Sequence, residues 1–310
     1  MGVFVYLPLV LPLTALPVAR LAEQHLHPRS ATRLLAAVGT TLALCSTVCL
    51  ALLMVVGTAQ LPGNPLPDGW SDPEVRAAVP YEEKAGIVAI GVLAAVVVAC
   101  GSAVHHHVRQ RVRAARALRS LPEQPSAVAV LPDPAPYAYA LPGSPGRVVV
   151  STAMMECLTA RERRALVAHE RAHLTARHHR YLLATQLAAR ANPFLLPLRT
   201  AVAYNTERWA DEAAAQATGD RRAVAGAVGK AALFAHRSPD ALPALASVGP
   251  IPRRVAALLD PVPPTRLWPP SSAHVAFAGL VATAGTTVSA LSSLNATVTL
   301  VRILHAATPL

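Results

Sequence analysis

Residues 34–58 read LLAAVGTTLALCSTVCLALLMVVGT, and no Asp, Glu, Lys or Arg interrupts them. Folded as an α-helix, a stretch of this length crosses the hydrocarbon core of a bilayer, which is about 30 Å thick. Three further stretches without these charged residues, Gly2–Ala19, Ala85–Val104 and Ala273–Val301, are of sufficient or nearly sufficient length. The sequence therefore predicts a mainly α-helical protein with four transmembrane helices.

The composition of the 310-residue chain agrees with this prediction, because 53% of the residues are hydrophobic and only 15% are charged. Soluble domains carry about 25% charged residues, so the composition argues against a wholly soluble protein. Disordered chains have low hydrophobicity, so intrinsic disorder is excluded as well.

The first and last of these stretches each have an alternative interpretation. Gly2–Ala19 ends in Leu16-Pro17-Val18-Ala19, which is similar to a signal-peptide cleavage region, but no Lys or Arg precedes its apolar run. We predict a retained span, with a cleaved signal as the alternative. Ala273–Val301 is rich in Ser, Thr and Gly, which suits helix packing in lipid, and a soluble amphipathic helix is the alternative.

The arginines beside the spans predict the orientation, because cytoplasmic flanks accumulate Lys and Arg. Residues 20–33 carry three arginines and one glutamate and should lie inside. The loop at 61–84 has a net charge of −3 and should lie outside, whereas five arginines follow the third span between residues 109 and 119. We therefore expect a multi-pass protein of the cell membrane with its N- and C-termini outside.

This path divides the chain into three parts. Residues 1–104 form a three-helix transmembrane region with the acidic outer loop, residues 105–270 a cytoplasmic domain, and residues 271–310 the fourth span with a short outer tail. The cytoplasmic domain has the same net charge as the whole chain, +11. Topology and anionic lipid account for this charge, so we expect contact with the lipid bilayer and no nucleic acid partner.

Three short runs in the cytoplasmic domain are typical of strands: Ser126–Leu131, Tyr137–Ala140 and Arg147–Ser151. They predict a small β-meander, which makes this domain α+β. Thr159 and Glu162 then fit a capping box, in which each side chain binds the other residue's backbone amide, so a helix should begin there.

That helix contains His169-Glu170-Arg171-Ala172-His173, an H-E-x-x-H motif. Residues four apart share one helical face, so both imidazoles can bind the same Zn²⁺. Glu170 follows the first histidine directly and lies close enough to take a proton from a water at the site. The alternative is two solvated histidines on a basic helix.

A second helical pattern runs from Tyr204 to Gly219, with Gly219 as its C-terminal cap. Glu207 and Asp211 are four residues apart on it, so both project from one face. Glu207 can supply the third ligand of a catalytic zinc site, and Asp211 can accept a hydrogen bond from a ligand imidazole. Taken alone, the pair is better explained by a solvated acidic face with Arg208 as its partner.

Together the two motifs resemble the integral-membrane gluzincin peptidases, the HtpX/Ste24 group and especially the BlaR/MecR antibiotic-receptor peptidases. The stretch YAYALPG at Tyr137–Gly143 is similar to the edge strand and turn of that family. The residues from His173 to His178 match its H-x-x-x-R-[HD] continuation, and Asn192-Pro193 is similar to the Asn-Pro between its zinc helices.

The order of spans and zinc domain is also that of the membrane part of BlaR/MecR. Those receptors continue after the last span into a penicillin-binding sensor domain, whereas this chain stops at Leu310. The resemblance therefore implies a BlaR/MecR-type peptidase that lacks the C-terminal sensor.

What the resemblance implies is a membrane-anchored zinc metalloendopeptidase that hydrolyses peptide bonds of cytoplasmic or membrane-proximal proteins. One Zn²⁺ per chain would be held by His169, His173 and Glu207. Glu170 would be the general base and then the general acid, and Asp211 would orient a ligand histidine. The partner would be a protein or peptide substrate, with a transcriptional repressor in a signalling pathway as one candidate.

The sequence also bears on substrate binding and on the stabilisation of the oxyanion. If the third strand is an exposed edge, it would bind an extended substrate by strand addition; its residues are Arg147, Val148, Val149, Val150 and Ser151. The residue that stabilises the oxyanion stays open, because the reachable candidates all have a structural or solvated alternative; they are Tyr204, His178 and His179.

Several other features are predicted to serve topology rather than chemistry. The run His105–His107 is better explained by a solvated interface than by a metal site. Residues 243–270 are rich in proline and predict a stiff tether to the last span, with a short docking helix at Arg253–Leu259. Two other functions stay open: a signalling receptor that senses through the outer loop, and a non-catalytic zinc-binding membrane scaffold.

Overall fold

The computed structural model of the protein describes residues 5–59, 61, 63, 66–71, 83–120, 127–143, 146–235, 250–263 and 273–307. Most of the predicted outer loop lies outside the described residues, as do both flanks of the segment at 250–263. What the sequence predicts for those parts stays a prediction.

Helices make up most of the described chain. They are α1 (Leu7–Val10), α2 (Ala15–His25), α3 (Pro28–Ala59), α4 (Glu83–Ser120), α5 (Thr152–Cys157), α6 (Ala160–Thr175), α7 (His178–Ala191), α8 (Leu196–Thr218), α9 (Arg221–Ala235), α10 (Ile251–Leu259) and α11 (Ala273–Ala307). Short 3₁₀ turns lie at Leu11–Thr14, Asp68–Ser71 and Pro193–Leu195. The strands are β1 (Val128–Leu131), β2 (Ala138–Leu141) and β3 (Arg147–Ser151).

Three helices, α3, α4 and α11, contain segments long and apolar enough to cross a membrane, at Pro28–Ala59, Lys84–Arg119 and Gly279–Ala306. They coincide with three of the predicted spans and indicate membrane association. The other predicted span, Gly2–Ala19, is described as α1, a 3₁₀ turn and the start of α2. Its three prolines lack the backbone N–H that continues an α-helix, which is consistent with these short helical pieces. Its role as a span stays a prediction.

The three strands form one sheet in the order β1-β3-β2, with β1 parallel and β2 antiparallel to β3. The predicted β-meander is therefore wrong, because consecutive strands of a meander are neighbours and β3 lies between the other two. The reason is burial: Val148, Val149 and Val150 are at most 1% exposed. A continuous apolar run of this kind suits a strand that is covered on both faces.

The same order overturns the prediction that Arg147–Ser151 is an exposed edge strand. Residues of β3 pair with Val128–Leu131 on one side and with Ala138–Leu141 on the other. Both rows of backbone groups are thus used within the sheet, and a substrate strand cannot be added there.

Helices cover both faces of this sheet. Val150 packs with Leu166 of α6 on one face, and Val149 packs on the other face with Leu118, near the C-terminal end of α4. Because α4 is continuous from Glu83 to Ser120, the domain boundary predicted after residue 104 lies inside a helix.

A separate apolar cluster joins α3 to α7 and α8. Leu35 and Leu42 of α3 pack with Ala188 of α7 and Leu198 of α8, and all four are buried. A Cβ added at Gly39 of α3 would lie 3.3 Å from Cδ1 of Leu198, so the two helices are in direct contact. Helices α7 and α8 are therefore held on a predicted span.

The start of α6 and the end of α8 follow from their sequences. The hydroxyl of Thr159 accepts a hydrogen bond from the Glu162 N–H, while the Glu162 carboxylate accepts one from the Thr159 N–H. Gly219 ends α8 with a φ of 67°, a left-handed conformation that costs glycine little. The predicted capping box and C-cap are both confirmed.

Candidate metal centre

Three side chains from two helices converge on one point. His169 and His173 lie one turn apart on α6, and their Nε2 atoms are 3.2 Å from each other. Each Nε2 lies 3.6 Å from an oxygen of Glu207 on α8. The three ligand atoms all lie within 4.8 Å of one another, so the residues predicted as ligands come together.

These side chains are removed from solvent. Those of His169, Glu207 and His173 are 9%, 13% and 18% exposed. Solvated histidines on a basic helix are therefore excluded. So is a solvated acidic face partnered by Arg208, because Arg208 instead contacts Glu212 at 3.1 Å.

Asp211 lies behind the first histidine, as its spacing from Glu207 predicts. Its Oδ1 is 3.0 Å from Nδ1 of His169, and its side chain is fully buried. A carboxylate at Nδ1 holds the imidazole so that Nε2 faces the other two ligand atoms.

His178 contacts Nδ1 of His173, as Asp211 contacts Nδ1 of His169. It begins α7, is 1% exposed, and its Nδ1 lies 2.9 Å from Nδ1 of His173. Burial and the neighbouring His173 lower the pKa of His178 to about 3, so it is neutral at physiological pH. The structural alternative for this residue fits better than a role at an oxyanion.

Arg254 of α10 is a site residue that sequence reasoning missed. Its Nε and Nη2 donate to the two carboxylate oxygens of Asp211 at 2.9 and 2.7 Å. Its Nη1 lies 3.0 Å from Oε2 of Glu207. The sequence signal was an arginine in the predicted docking helix, but nothing local indicates which helix it docks on.

Charge is concentrated around these groups. Burial would raise the pKa values of Glu207 and Asp211, but the histidines and Arg254 outweigh it and hold both below their ordinary values. Burial would likewise lower the pKa of His169, but Asp211 and Glu207 raise it.

Trp209, which lies between Glu207 and Asp211 on α8, connects the site to α3. The ring of Trp209 packs against that of His178 at a tilt of 54°, with ring centroids 4.7 Å apart. The guanidiniums of Arg29 and Arg33, at the start of α3, lie 5.7 and 5.5 Å from the centre of the same ring. An unbroken chain of contacts thus runs from the start of α3 to the second histidine.

Other residues considered from the sequence lie elsewhere. Tyr204 is covered by the guanidinium of Arg253, 4.5 Å from its ring centre. The pKa of His179 is lowered by burial and by Arg111 and His107 of α4, so His179 faces that helix. Glu170 is partly buried on α6, and its charge acts on both His173 and Arg254.

The donor set itself fits zinc. Two imidazole nitrogens and one carboxylate oxygen are the ligands of many catalytic zinc sites, which leave a fourth position open for water. Asp211 and His178 contact the Nδ1 atoms of His169 and His173. The Nε2 atoms of these two histidines therefore face the point where the ligand atoms converge.

The family model of peptidase family M48 matches residues 102–190. The match covers less than a third of the chain, includes His169, Glu170 and His173, and ends before Glu207. Together with the His-His-Glu cluster it supports a metallopeptidase of a family of zinc enzymes. No curated protein and no solved structure matches the chain.

Proposed function

We propose that the protein is a membrane-anchored zinc metalloendopeptidase that cleaves cytoplasmic or membrane-proximal proteins. The observation that carries this proposal is the convergence of His169, His173 and Glu207 within 4.8 Å, with Glu170 on the same helix as the histidines. The M48 match over α6 supports the same reaction class.

Each residue then has a distinct task. Bound zinc, one ion per chain, would supply Lewis acidity and lower the pKa of a water molecule toward about 7. Glu170 accepts a proton from the attacking water and returns it to the leaving amine. Asp211 and His178 keep His169 and His173 in the tautomers that point Nε2 at the metal.

Substrate binding is assigned to β2 in place of β3. Among the described residues, β2 pairs with β3 on one side only, which leaves a row of backbone groups for an added strand. Ala138 of β2 lies in the same apolar cluster as Leu166 and Leu174 of α6, so this edge runs beside the helix of the two histidines.

The arrangement in the membrane is also part of the proposal. The charge distribution favours a cytoplasmic peptidase region with both termini outside, as in the BlaR/MecR peptidases. Regulated proteolysis of a repressor is the pathway that this resemblance suggests. Contacts of α7 and α8 with α3 support an enzyme that works close to the bilayer surface.

The test is the variant Glu170→Gln, with Glu156→Gln as its matched control because Glu156 is exposed on the preceding helix. Comparing the new protein termini of cells that carry each form identifies substrates and measures cleavage together. Removing a general base typically lowers the rate about 10²–10⁴-fold. Cleavage by Glu170→Gln at the wild-type rate would refute the proposed mechanism, whereas Glu156→Gln should cleave normally.

A further inference from the structure

A buried arginine from a distant part of the chain completes the metal centre. We infer that Arg254 is a positioning residue, whose guanidinium fixes Glu207 and Asp211 in the orientation that lets the three ligand atoms meet. The inference rests on the proposed function, because it concerns the same zinc site.

The geometry is that of a clamp across both carboxylates. The bidentate contact orients Asp211 toward His169, while the third nitrogen engages Oε2 of Glu207. The other oxygen of Glu207, Oε1, is left on the side of His173, 3.6 Å from its Nε2. Lysine has no planar fork and cannot reproduce contacts to two carboxylates at once.

The charges of the site require such a cation. The carboxylates of Glu207 and Asp211 both contact Arg254, and Asp211 has no solvent exposure. A bound divalent ion would balance part of this negative charge, and the guanidinium of Arg254 balances the rest. Without Arg254 the buried carboxylate of Asp211 would lose its positive partner, which is unfavourable in a low-dielectric environment.

The helix that carries Arg254, α10, is anchored at its C-terminal end. Arg221 of α9 donates to the carbonyls of Ala257 and Leu258 at 2.9 Å, at the C-terminal end of α10. Leu258 is 1% exposed and packs with residues of α6, α8 and α9. These contacts fix α10 without involving the carboxylates, so Arg254 is presented in a set position.

The experiment uses the full-length protein with Arg254→Met, Arg254→Lys and Arg253→Met. Arg253 is the matched control, because it is the preceding residue of α10 and its side chain is 57% exposed. Zinc affinity is measured by competition with a chelator, and thermal stability is measured on the metal-free protein. Zinc should bind about 10- to 100-fold more weakly to Arg254→Met, with Arg254→Lys between that variant and the wild type.

The possible results separate the role of Arg254 from the proposed function. Equal zinc affinity in Arg254→Met and Arg253→Met overturns the inference, even if metal-free stability falls, because Arg254 would then only dock α10. If the wild type binds zinc but cleaves nothing, the proposed function fails while a weakened affinity still supports Arg254. Should Arg254→Met not fold, Arg254→Lys decides by the same comparison. A wild type that binds no zinc overturns both.

Discussion

Within α8, the residues before Tyr204 and those after it are held by different interactions. Leu198, Ala201 and Val202 are buried in the apolar cluster that joins α8 to α3. One to two turns further along, Glu207 and Asp211 contact two histidines and an arginine. The same helix is therefore fixed by apolar packing alone at one end, and by paired charges in addition to apolar packing at the other.

The difference separates stability from metal binding. Apolar burial is non-directional, so loss of a methyl group costs free energy without redirecting a neighbour. A buried charge is stabilised by a partner of opposite charge. Removing that partner leaves the other charge uncompensated in a low-dielectric environment. Changes in the first half of α8 should thus lower stability alone, and changes in the second half should lower both stability and zinc affinity.

The largest effect is expected from Asp211→Ala. Arg254 and Nδ1 of His169 would both lose a partner in a buried place, and breaking such a pair costs about 3–5 kcal/mol. Unfolding in detergent should show a loss of this size, and chelator competition should show weaker zinc binding. Asp260→Ala is the control, because Asp260 is exposed at the end of α10. Equal stability of the two variants would contradict a stabilising charge pair between Asp211 and Arg254.

Leu198→Ala tests the other half of the comparison. Leu198 is 1% exposed, and truncating a buried leucine costs about 2–5 kcal/mol because a cavity remains. The free energy of unfolding should fall by that amount while zinc affinity is unchanged. A matching loss of zinc affinity would mean that the two halves of α8 are coupled and that the comparison is too simple.

The smallest effect concerns Glu162, which lies at neither contact. Burial would raise its pKa, but hydrogen bonds from Lys230 and Thr159 outweigh burial and lower it from 4.5. A carboxyl whose pKa is lower in the folded than in the unfolded state stabilises the protein above its unfolded-state pKa, and this stabilisation is lost as pH falls through the folded-state pKa. On acidification the free energy of unfolding should therefore fall less in Glu162→Gln than in wild type, and the two losses should differ by about 1 kcal/mol or less. Identical acid profiles would count against this ion pair.

The parts of the fold that were predicted correctly rest on local patterns. A Thr-x-x-Glu capping box sets the start of α6, and uncharged runs mark α3, α4 and α11. Spacings of four residues on two helices place His169 with His173 and Glu207 with Asp211. Such patterns act over one or two helical turns and so need no knowledge of the rest of the chain.

The errors and omissions involve partners that are distant in sequence. The predicted strand order is wrong because three short apolar runs do not indicate which strand pairs with a neighbour on both sides. Arg254 was missed because it lies 43 residues from Asp211, in a stretch whose prolines suggest only a tether. His178 contacts His173 across the break between α6 and α7, where helical spacing no longer applies.

Zinc binding by wild type and Glu207→Gln is the most direct test of the account, with Glu170→Gln as control. Elemental analysis and chelator competition on full-length protein should give one zinc per wild-type chain. Affinity should be unchanged in Glu170→Gln and at least about 100-fold weaker in Glu207→Gln, which loses a ligand. A wild type without bound zinc after loading, or a Glu207→Gln variant that binds zinc as tightly as wild type, would contradict the account.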